Sequence, residues 1–368
     1  MKQSLKKRIY YSLFLVVSTL LLSELLLRIY NPFYIRLKGT TVQLPVNQKY
    51  NLTTTASDGL DSLIVHTKNQ LGFRGPDMGN DFADRYSVFV VGGSATECLL
   101  LSDGEDWPNR LYKKLQPTFP SLWMNNAGID GASSYGHVFL LQQQLLRLKP
   151  KMIIFMLGIN DINRVDINGF DNLVSIKRAP FFVRVAEYSE LWSTVLNLYR
   201  LKNAKEKSLT HNSISAIIDG KTAMRAADMQ QLKFKLQTAD IQLMAAYKKR
   251  LLMLIELCRK QQINPVFVTQ PCIAGNAMDS TTGKNLGDIQ VTTTMNGYQF
   301  WDLLQAYNRV TIETANEQLC FVIDAASSFP KQRKMYYDLM HFRKEGAQAF
   351  ADTLYQSLQP YLLQQIKP

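Results

Sequence analysis

The pattern of hydrophobic and polar residues after about residue 85 alternates in the manner of an α/β protein. Short, almost continuously apolar runs predict strands at Tyr86–Val91, Trp123–Ala127, Met152–Leu157, Pro265–Gln270 and Cys320–Asp324. Longer stretches predict helices at Trp107–Leu115, Tyr135–Leu148, Ile241–Lys260, Trp301–Gln318 and Lys344–Leu363. Strands that are apolar on both faces and alternate with helices predict a parallel sheet covered by helices on both sides.

Two regions depart from this pattern. Residues 31–85 are polar and carry loop-like pieces such as "NLTTTASDG", so we expect them to be irregular. Residues 163–240 interrupt the alternation of strands and helices, which predicts a helical insertion over one end of the sheet. No internal repeat and no second core are evident in the sequence.

The N-terminus has the pattern of a membrane-spanning helix. Four basic residues come first: Lys2, Lys6, Lys7 and Arg8. From Ile9 to Leu27 the only charged residue is Glu24, and about 20 apolar residues suffice to span a bilayer. Aromatic residues suited to the far interface follow at Tyr30, Phe33 and Tyr34. The basic cluster predicts a cytoplasmic N-terminus, and hence an exported remainder of the chain.

A cleaved signal peptide is the alternative interpretation of this segment. The apolar core Leu13–Leu22 has a suitable length, but no small-x-small cleavage site follows it. We therefore predict a cytoplasmic segment 1–8, an uncleaved signal anchor 9–30, a linker 31–70 and an exported domain 71–368. The single-pass topology places that domain in the periplasm or another extracytoplasmic space.

Composition narrows the function without deciding it. The formal net charge is +12, and residues 200–260 contribute thirteen Lys and Arg against five Asp and Glu. Such an excess is a solvated helical face or a contact with an anionic polymer or lipid headgroups. Nucleic acid is not expected as a partner, because no zinc finger, arginine-rich arm or aromatic RNA-binding motif accompanies the charge. The four cysteines are widely spaced, which favours buried thiols over a zinc site or disulfides.

Chemically useful residues follow the predicted strands. In an open parallel sheet, ligands bind beyond the carboxyl ends of the strands. Ser94 follows the first strand, Gly128 the second and Asn160 the third, while Asp338 and His341 precede the last helix. We expect all five residues to surround one cleft.

These residue types suit acyl transfer on a serine. Ser94 is the candidate nucleophile, His341 its base, and Asp338 the acid that orients the imidazole. The candidate oxyanion donors are the backbone N–H groups of Ser94 and Gly128 and the side-chain amide of Asn160. The serine motif is neither a G-x-S-x-G elbow nor a P-loop, since Thr96 stands at the second glycine position and no Lys-Ser/Thr follows.

Five further polar residues are assigned roles outside the proposed catalytic set. His66, His137 and His211 have no acidic partner at useful spacing, so we interpret them as structural or exposed. Asp161 is expected to be structural, either capping or bonding within its loop. Arg74, in "GFRGP", is expected to fix the N-terminal segment against the site.

These motifs resemble the four blocks of the SGNH (GDSL-type) hydrolase family. The pieces "LGFRGP", "EDWP" and "VTQP" also resemble the membrane-anchored bacterial branch of that family. The blocks are "GGSATE", "NNAGIDG", "GIND" and "DLMHF", and they occur in the family's order. Gly92-Gly93-Ser94-Ala95 replaces the Gly-Asp-Ser-Leu of the family name. The resemblance implies a flavodoxin-like three-layer α/β sandwich with a central parallel sheet.

The sequence therefore predicts an exported serine esterase that needs no metal or cofactor. Its expected substrates are acyl esters, above all O-acetyl groups of an envelope or secreted polysaccharide. Three alternatives remain open: an O-acyltransferase that uses the same triad, a lysophospholipase or thioesterase, and a non-catalytic scaffold in polysaccharide export. Protein partners are not indicated.

Overall fold

The computed structural model describes residues 2–32, 37–39, 41–54, 59–162, 181–206, 226–291 and 295–366. The chain divides into two compact units. One comprises Met1–Leu44 and Asn172–Thr210, and the other comprises Pro45–Asp171 and His211–Pro368.

The described elements, in chain order, alternate as an α/β pattern from β5 onward. The first part of the chain forms α1 (Lys2–Ile29), β1 (Leu37–Lys38), β2 (Thr41–Val42), β3 (Gln48–Thr53), β4 (Leu63–Lys68), β5 (Tyr86–Gly92), α2 (Ser94–Glu97), α3 (Trp107–Leu115), β6 (Leu122–Asn126), α4 (Ser134–Leu140), α5 (Leu146–Leu148) and β7 (Met152–Met156). The second part forms α6 (Phe181–Val185), α7 (Glu190–Glu206), α8 (Ala226–Lys260), β8 (Asn264–Val268), α9 (Gly297–Glu317), β9 (Phe321–Ile323), α10 (Ala325–Ser328) and α11 (Lys344–Gln365).

The larger unit is built on a five-stranded sheet with the order β6-β5-β7-β8-β9. Every neighbouring pair is parallel, and Val90 of β5, for example, is in register with Ile154 of β7. This is the flavodoxin-like order, in which the chain reverses direction across the sheet between β5 and β7. The predicted fold class is confirmed, and all five predicted strands exist within one or two residues of their expected bounds.

Helices cover the sheet on both faces because alternate strand residues point to opposite sides. On one face, Val88, Val90 and Ile154 pack in a core with Trp107 of α3 and Phe350 of α11, whose rings meet edge to face at 5.1 Å. The intervening residues point the other way, where Phe155 and Phe267 stack at 5.4 Å. Helices α4, α8 and α9 pack together beside those strands.

Two expectations about organisation need correction. Residues 31–85 are not irregular throughout, because β3 and β4 form an antiparallel hairpin that includes the pair Tyr50–His66. The alternating polar and partly buried residues of this hairpin are a strand pattern within a polar segment. The long helix α8 begins at Ala226, well before the predicted Ile241, so the proposed insertion 163–240 ends inside a helix.

The smaller unit contains the apolar N-terminal helix. Residues Leu5–Ile29 of α1 are long and apolar enough to cross a membrane, and within the described parts of the chain this is the single helix that meets both conditions. Such a helix serves as a membrane anchor or as a signal sequence. Tyr30 is exposed, whereas the predicted interface residues Phe33 and Tyr34 lie outside the described residues.

The cysteines behave as the sequence predicts. All four thiols are free and buried, at Cys98, Cys258, Cys272 and Cys320. Burial raises the pKa of the Cys258 thiol to about 12 and that of Cys272 to about 11. These residues therefore fill the core as small apolar side chains.

Candidate active site

Ser94 lies where β5 ends and the short helix α2 begins. Its position is directly beside the reversal of strand order between β5 and β7, where ligands bind in this fold class. The side chain is 6% exposed. Gly93 precedes it, and an added Cβ there would lie 2.3 Å from the Asn160 amide nitrogen and displace that side chain. The glycine therefore lets the backbone at Ser94 approach Asn160 closely.

His341 and Asp338 reach Ser94 from the loop that precedes α11. His341 Nε2 lies 2.6 Å from Ser94 Oγ, and His341 Nδ1 lies 2.5 Å from Asp338 Oδ2. The second carboxylate oxygen, Asp338 Oδ1, accepts the backbone N–H groups of Met340 and His341 at 3.0 and 2.8 Å. These contacts fix the carboxylate on its own loop, so that it faces one nitrogen of the imidazole while the other faces the serine.

An aromatic ring supports the imidazole. Tyr337 stacks on His341 with the ring centroids 5.4 Å apart and the planes 13° from parallel. Burial, together with the negative charge of Asp338, holds the pKa of the Tyr337 phenol well above its usual value. Tyr337 therefore stays neutral and orients the His341 ring by packing.

Asn160 is placed by the turn that follows β7. Asn160 lies in a 3₁₀ turn, Ile159–Asp161. Its side-chain amide nitrogen donates to the Ala132 carbonyl oxygen at 2.8 Å. This bond joins the loop after β7 to the loop after β6, on either side of the residues that carry Ser94. The predicted convergence of these loops is present in the structure.

Gly128 does not have the environment that the sequence suggested. Its backbone N–H donates to Asn126 Oδ1 at 2.9 Å, so it is committed to the side chain two residues earlier. A Cβ at this position would lie 2.3 Å from the Glu97 backbone nitrogen, so the glycine is required by packing against α2. In this conformation the Gly128 N–H therefore faces Asn126 and does not serve as the expected oxyanion donor. Gly131, with φ of +69°, directly precedes Ala132, whose carbonyl oxygen accepts the Asn160 amide.

A buried ion pair supports the Asn160 turn, and the sequence did not reveal it. Asp161 accepts the Ser134 hydroxyl at 2.6 Å and the Ser134 backbone N–H at 3.1 Å. Arg250, from α8, donates its Nε to Ser134 Oγ at 2.7 Å and lies 3.4 Å from Asp161. Arg250 belongs to the basic 200–260 segment, for which a solvated face and an anionic partner both remained open, but its side chain is almost buried and binds these two loops.

A second buried arginine holds the opposite end of α2. Arg74 donates to the carbonyl oxygens of Glu97, Cys98 and Leu101 at 2.7 to 2.8 Å. The Glu97 and Cys98 carbonyls lie at the end of the short helix that begins at Ser94, where a cation is favourable. The expectation that Arg74 ties the N-terminal segment to the site is met by these contacts.

Glu97 connects the same helix to the loop after β6. Its carboxylate accepts the Asp130 N–H at 2.5 Å and the Lys68 ammonium at 2.8 Å. Lys68 and Glu97 are both buried, so the ion pair ties the β3–β4 hairpin to the loop beside Asn160. Neither residue was singled out from the sequence, because a Lys and a Glu that are 29 positions apart carry no spacing signal.

Among the described residues, His66 and His137 make no hydrogen bond to Ser94, His341 or Asp338. His66 and His137 are buried, and burial together with the charges of Arg74 and Lys68 lowers the pKa of His66 to about 2. His211 lies outside the described residues.

Comparison with known proteins agrees with this geometry. Residues 90–207 match the model of the GDSL-like Lipase/Acylhydrolase family. Among curated proteins, none matches the sequence significantly.

Several solved structures are similar in fold at low sequence identity. They include an α/β hydrolase enzyme from the metagenome of Lake Arreo, Spain, at 15% identity over 74% of this chain and 94% of that one, with a TM-score of 0.42. An acetylxylan esterase from Geobacillus stearothermophilus has the same identity, coverage and TM-score. The acetyl xylan esterase AlAXEase is 12% identical over 74% of this chain and 99% of its own, with a TM-score of 0.41. Likenesses of this strength do not identify a substrate.

The family match and the site define the class of protein. The matched segment is similar to the GDSL-like lipases and acylhydrolases, and it contains Ser94 and Asn160. This match and the contacts among Ser94, His341 and Asp338 support a serine ester hydrolase.

Proposed function

We propose that Ser94 is the nucleophile of this esterase, that His341 is its general base and that Asp338 orients the imidazole. The observation that carries the proposal is the continuous hydrogen-bonded series from Ser94 Oγ through His341 to Asp338. In the first step the serine oxygen attacks the ester carbonyl carbon and His341 Nε2 takes its proton. Asp338 stays ionised and stabilises the imidazolium that forms.

The tetrahedral intermediate carries an oxyanion that needs hydrogen-bond donors. Two donors that the sequence suggested retain this role in the proposal. The Ser94 N–H is one of the first in α2, and such N–H groups have no acceptor within their own helix. The Asn160 amide lies close to Gly93 and is the second donor. Gly128 is left out because its N–H is bound to Asn126, and the backbone at Gly131 takes its place in the proposal.

The second half of the reaction regenerates the enzyme. The intermediate collapses, the bond from carbon to the alcohol oxygen breaks, and the leaving alcohol takes the proton from His341. Water then attacks the acyl-serine with His341 again as base. The bond between the acyl carbon and Ser94 Oγ breaks, His341 returns its proton to Ser94 Oγ, and the carboxylic acid leaves and ionises in the solvent.

The substrate we propose is an O-acetylated polysaccharide of the envelope or one that is secreted. The support is the proposed location: the Leu5–Ile29 helix and the basic residues before it suit an uncleaved anchor with an exported catalytic unit. An exported esterase of this class meets acylated surface glycans. Acyl transfer to a sugar hydroxyl needs the same residues, with an alcohol in place of water in the second half-reaction.

The test is a turnover screen of the full-length protein in phosphatidylcholine nanodiscs. The substrates are acetylated xylo-oligosaccharides, a lysophospholipid and an acyl-thioester, and Ser94→Ala is the control. The proposal predicts acetate release from the acetylated sugars alone, and only with Ser94 present. Acetyl groups that appear on an added sugar acceptor would indicate a transferase. Turnover of the lysophospholipid or the acyl-thioester would show that the substrate is not a glycan.

A further inference from the structure

The smaller unit exposes a cluster of large apolar side chains that its own fold does not cover. The cluster comprises Phe181, Phe182, Tyr188, Trp192, Val195, Leu198 and Tyr199. Phe181 is 76% exposed and Tyr188 is 77% exposed. An exposed cluster of this many large apolar side chains is typical of a surface that contacts a membrane or another protein.

The cluster is fastened to α1 through Glu24. The Glu24 carboxylate accepts the Ser189 hydroxyl at 2.8 Å and the backbone N–H groups of Glu190 and Leu191 at 3.1 and 3.0 Å. It thereby caps the first turn of α7, where unpaired N–H groups and the helix dipole favour an anion. A carboxylate inside an otherwise apolar helix is costly unless it is paired, and these contacts pair it.

Other contacts reinforce the same junction. Arg28, one turn after Glu24, donates to the Tyr188 carbonyl oxygen at 2.7 Å and to Glu24 itself at 2.8 Å. Asn31 donates to Thr194 Oγ1 at 3.2 Å, and Lys38 pairs with the Glu190 carboxylate. The end of α1 and the residues after it are therefore bound to residues 188–194 by several independent contacts.

The length of α1 fixes the depth of this junction. The 25 residues Leu5–Ile29 extend about 37 Å at 1.5 Å per residue, which exceeds a hydrocarbon core of about 30 Å. Glu24 is five residues before the end of the helix, about 7.5 Å, so it lies near the boundary between the hydrocarbon and the headgroups. Residues bound to Glu24 lie at the same depth, where aromatic side chains are favoured.

We propose that residues 181–199 form a membrane-interface element: bound to Glu24 of the retained anchor helix, they insert their exposed aromatic and aliphatic side chains into the boundary of the bilayer that α1 crosses. The inference rests on the proposed anchor and not on the ester-hydrolysing residues. It explains why Glu24 interrupts an apolar helix and why the cluster is exposed. It also requires that α1 is not removed as a signal peptide.

The test uses the full-length protein in phosphatidylcholine nanodiscs with an environment-sensitive fluorophore on a single introduced cysteine. The labelled variants are Phe182→Cys and Tyr188→Cys, and the matched control is Leu319→Cys, which is 92% exposed in the other unit. The native cysteines are buried. The inference predicts a blue-shifted emission at 182 and 188 and strong quenching by lipids that carry a quencher near the headgroup. The label at 319 is quenched instead by an aqueous quencher.

A second variant separates the anchor contact from simple surface attraction. Glu24→Ala in the Tyr188→Cys background is expected to weaken lipid quenching at 188, while a label at Leu13→Cys remains in the hydrocarbon. Labels at 182 and 188 that behave like the label at 319 would overturn the interface element. Unchanged quenching in Glu24→Ala would overturn the docking on Glu24. Because the readout is fluorescence, the outcome is independent of ester hydrolysis.

Discussion

His341 Nε2 lies 2.6 Å from Ser94 Oγ, although 247 positions of sequence separate the two residues. They meet because β5 ends at the reversal of strand order and the loop before α11 returns to the same edge of the sheet. Each partner is also held by its own surroundings: α2 is bound at its end by Arg74, and His341 is bound by Asp338 and Tyr337. The contact is thus a product of the fold rather than of local sequence.

Asn160→Ala tests the proposed oxyanion donor. Removal of one such donor lowers kcat by about 10² to 10³, with little effect on KM when the bond forms mainly in the transition state. Steady-state kinetics on a short-chain aryl ester measures both constants, and Asn51→Ala, at an exposed position on β3, is the control. If Asn160 is purely structural, the Asn160→Ala variant will have a lower urea midpoint, and the specific activity of its folded fraction will stay near normal.

Arg250→Gln and Lys248→Gln form a matched pair on one helix. Arg250 binds Ser134 and Asp161 in a nearly buried network, and a bond to a charged group contributes about 1.5–3 kcal/mol. Lys248 pairs with Glu317 on the surface, where an ion pair contributes about 1 kcal/mol or less. Urea denaturation should show the larger loss for Arg250→Gln, together with a lower kcat because Asp161 adjoins Asn160. Equal losses in the free energy of unfolding would show that the Arg250 contacts contribute no more than a solvent-exposed ion pair.

Arg74→Lys tests the support of α2. A lysine keeps the charge, but its single ammonium cannot reach three carbonyl oxygens and the buried Asp106, which lies 3.5 Å from the guanidinium. We expect a loss of about 1.5–3 kcal/mol in the free energy of unfolding, the contribution of a buried hydrogen bond from a charged group. Arg85→Lys, which changes an exposed pair with Asp81, should cost less than about 1 kcal/mol. Identical urea midpoints for the two variants would show that Arg74 does not support the helix.

His66 predicts a loss of stability in acid. Burial lowers the pKa of His66 to about 2 in the folded protein. Below pH 6.5, His66 is therefore protonated in the unfolded chain while it stays neutral in the folded chain. The contribution of neutral His66 is complete above pH 6.5 and declines by about 1.4 kcal/mol per pH unit below it. Between pH 7 and pH 5 the wild type should therefore lose about 2 kcal/mol more than His66→Asn. Parallel pH dependence of the two unfolding free energies would contradict this account.

The sequence predicted the sheet well because each central strand is a nearly continuous apolar run. The antiparallel hairpin β3–β4 was missed because its residues are mostly polar and only every second side chain of β4 is buried. The pairing of Ser94, Asp338 and His341 followed from the rule that strand ends share one edge. Arg250, Glu97 and Lys68 could not be found in this way, since their contacts depend on how a helix and a hairpin pack onto the loops. Gly128 was misassigned because the sequence does not distinguish a glycine that close packing requires from one whose N–H donates to an oxyanion.

The most direct test of the central claim is to map the residue that a fluorophosphonate labels. The full-length protein is treated with the reagent, and the modified peptide is identified by mass spectrometry, with His341→Ala and Ser94→Ala as controls. The account predicts stoichiometric modification of Ser94 in the wild type, slow modification in His341→Ala and none in Ser94→Ala, with loss of esterase activity in step with labelling. A modified residue other than Ser94, or full esterase activity in a normally folded Ser94→Ala protein, would contradict it.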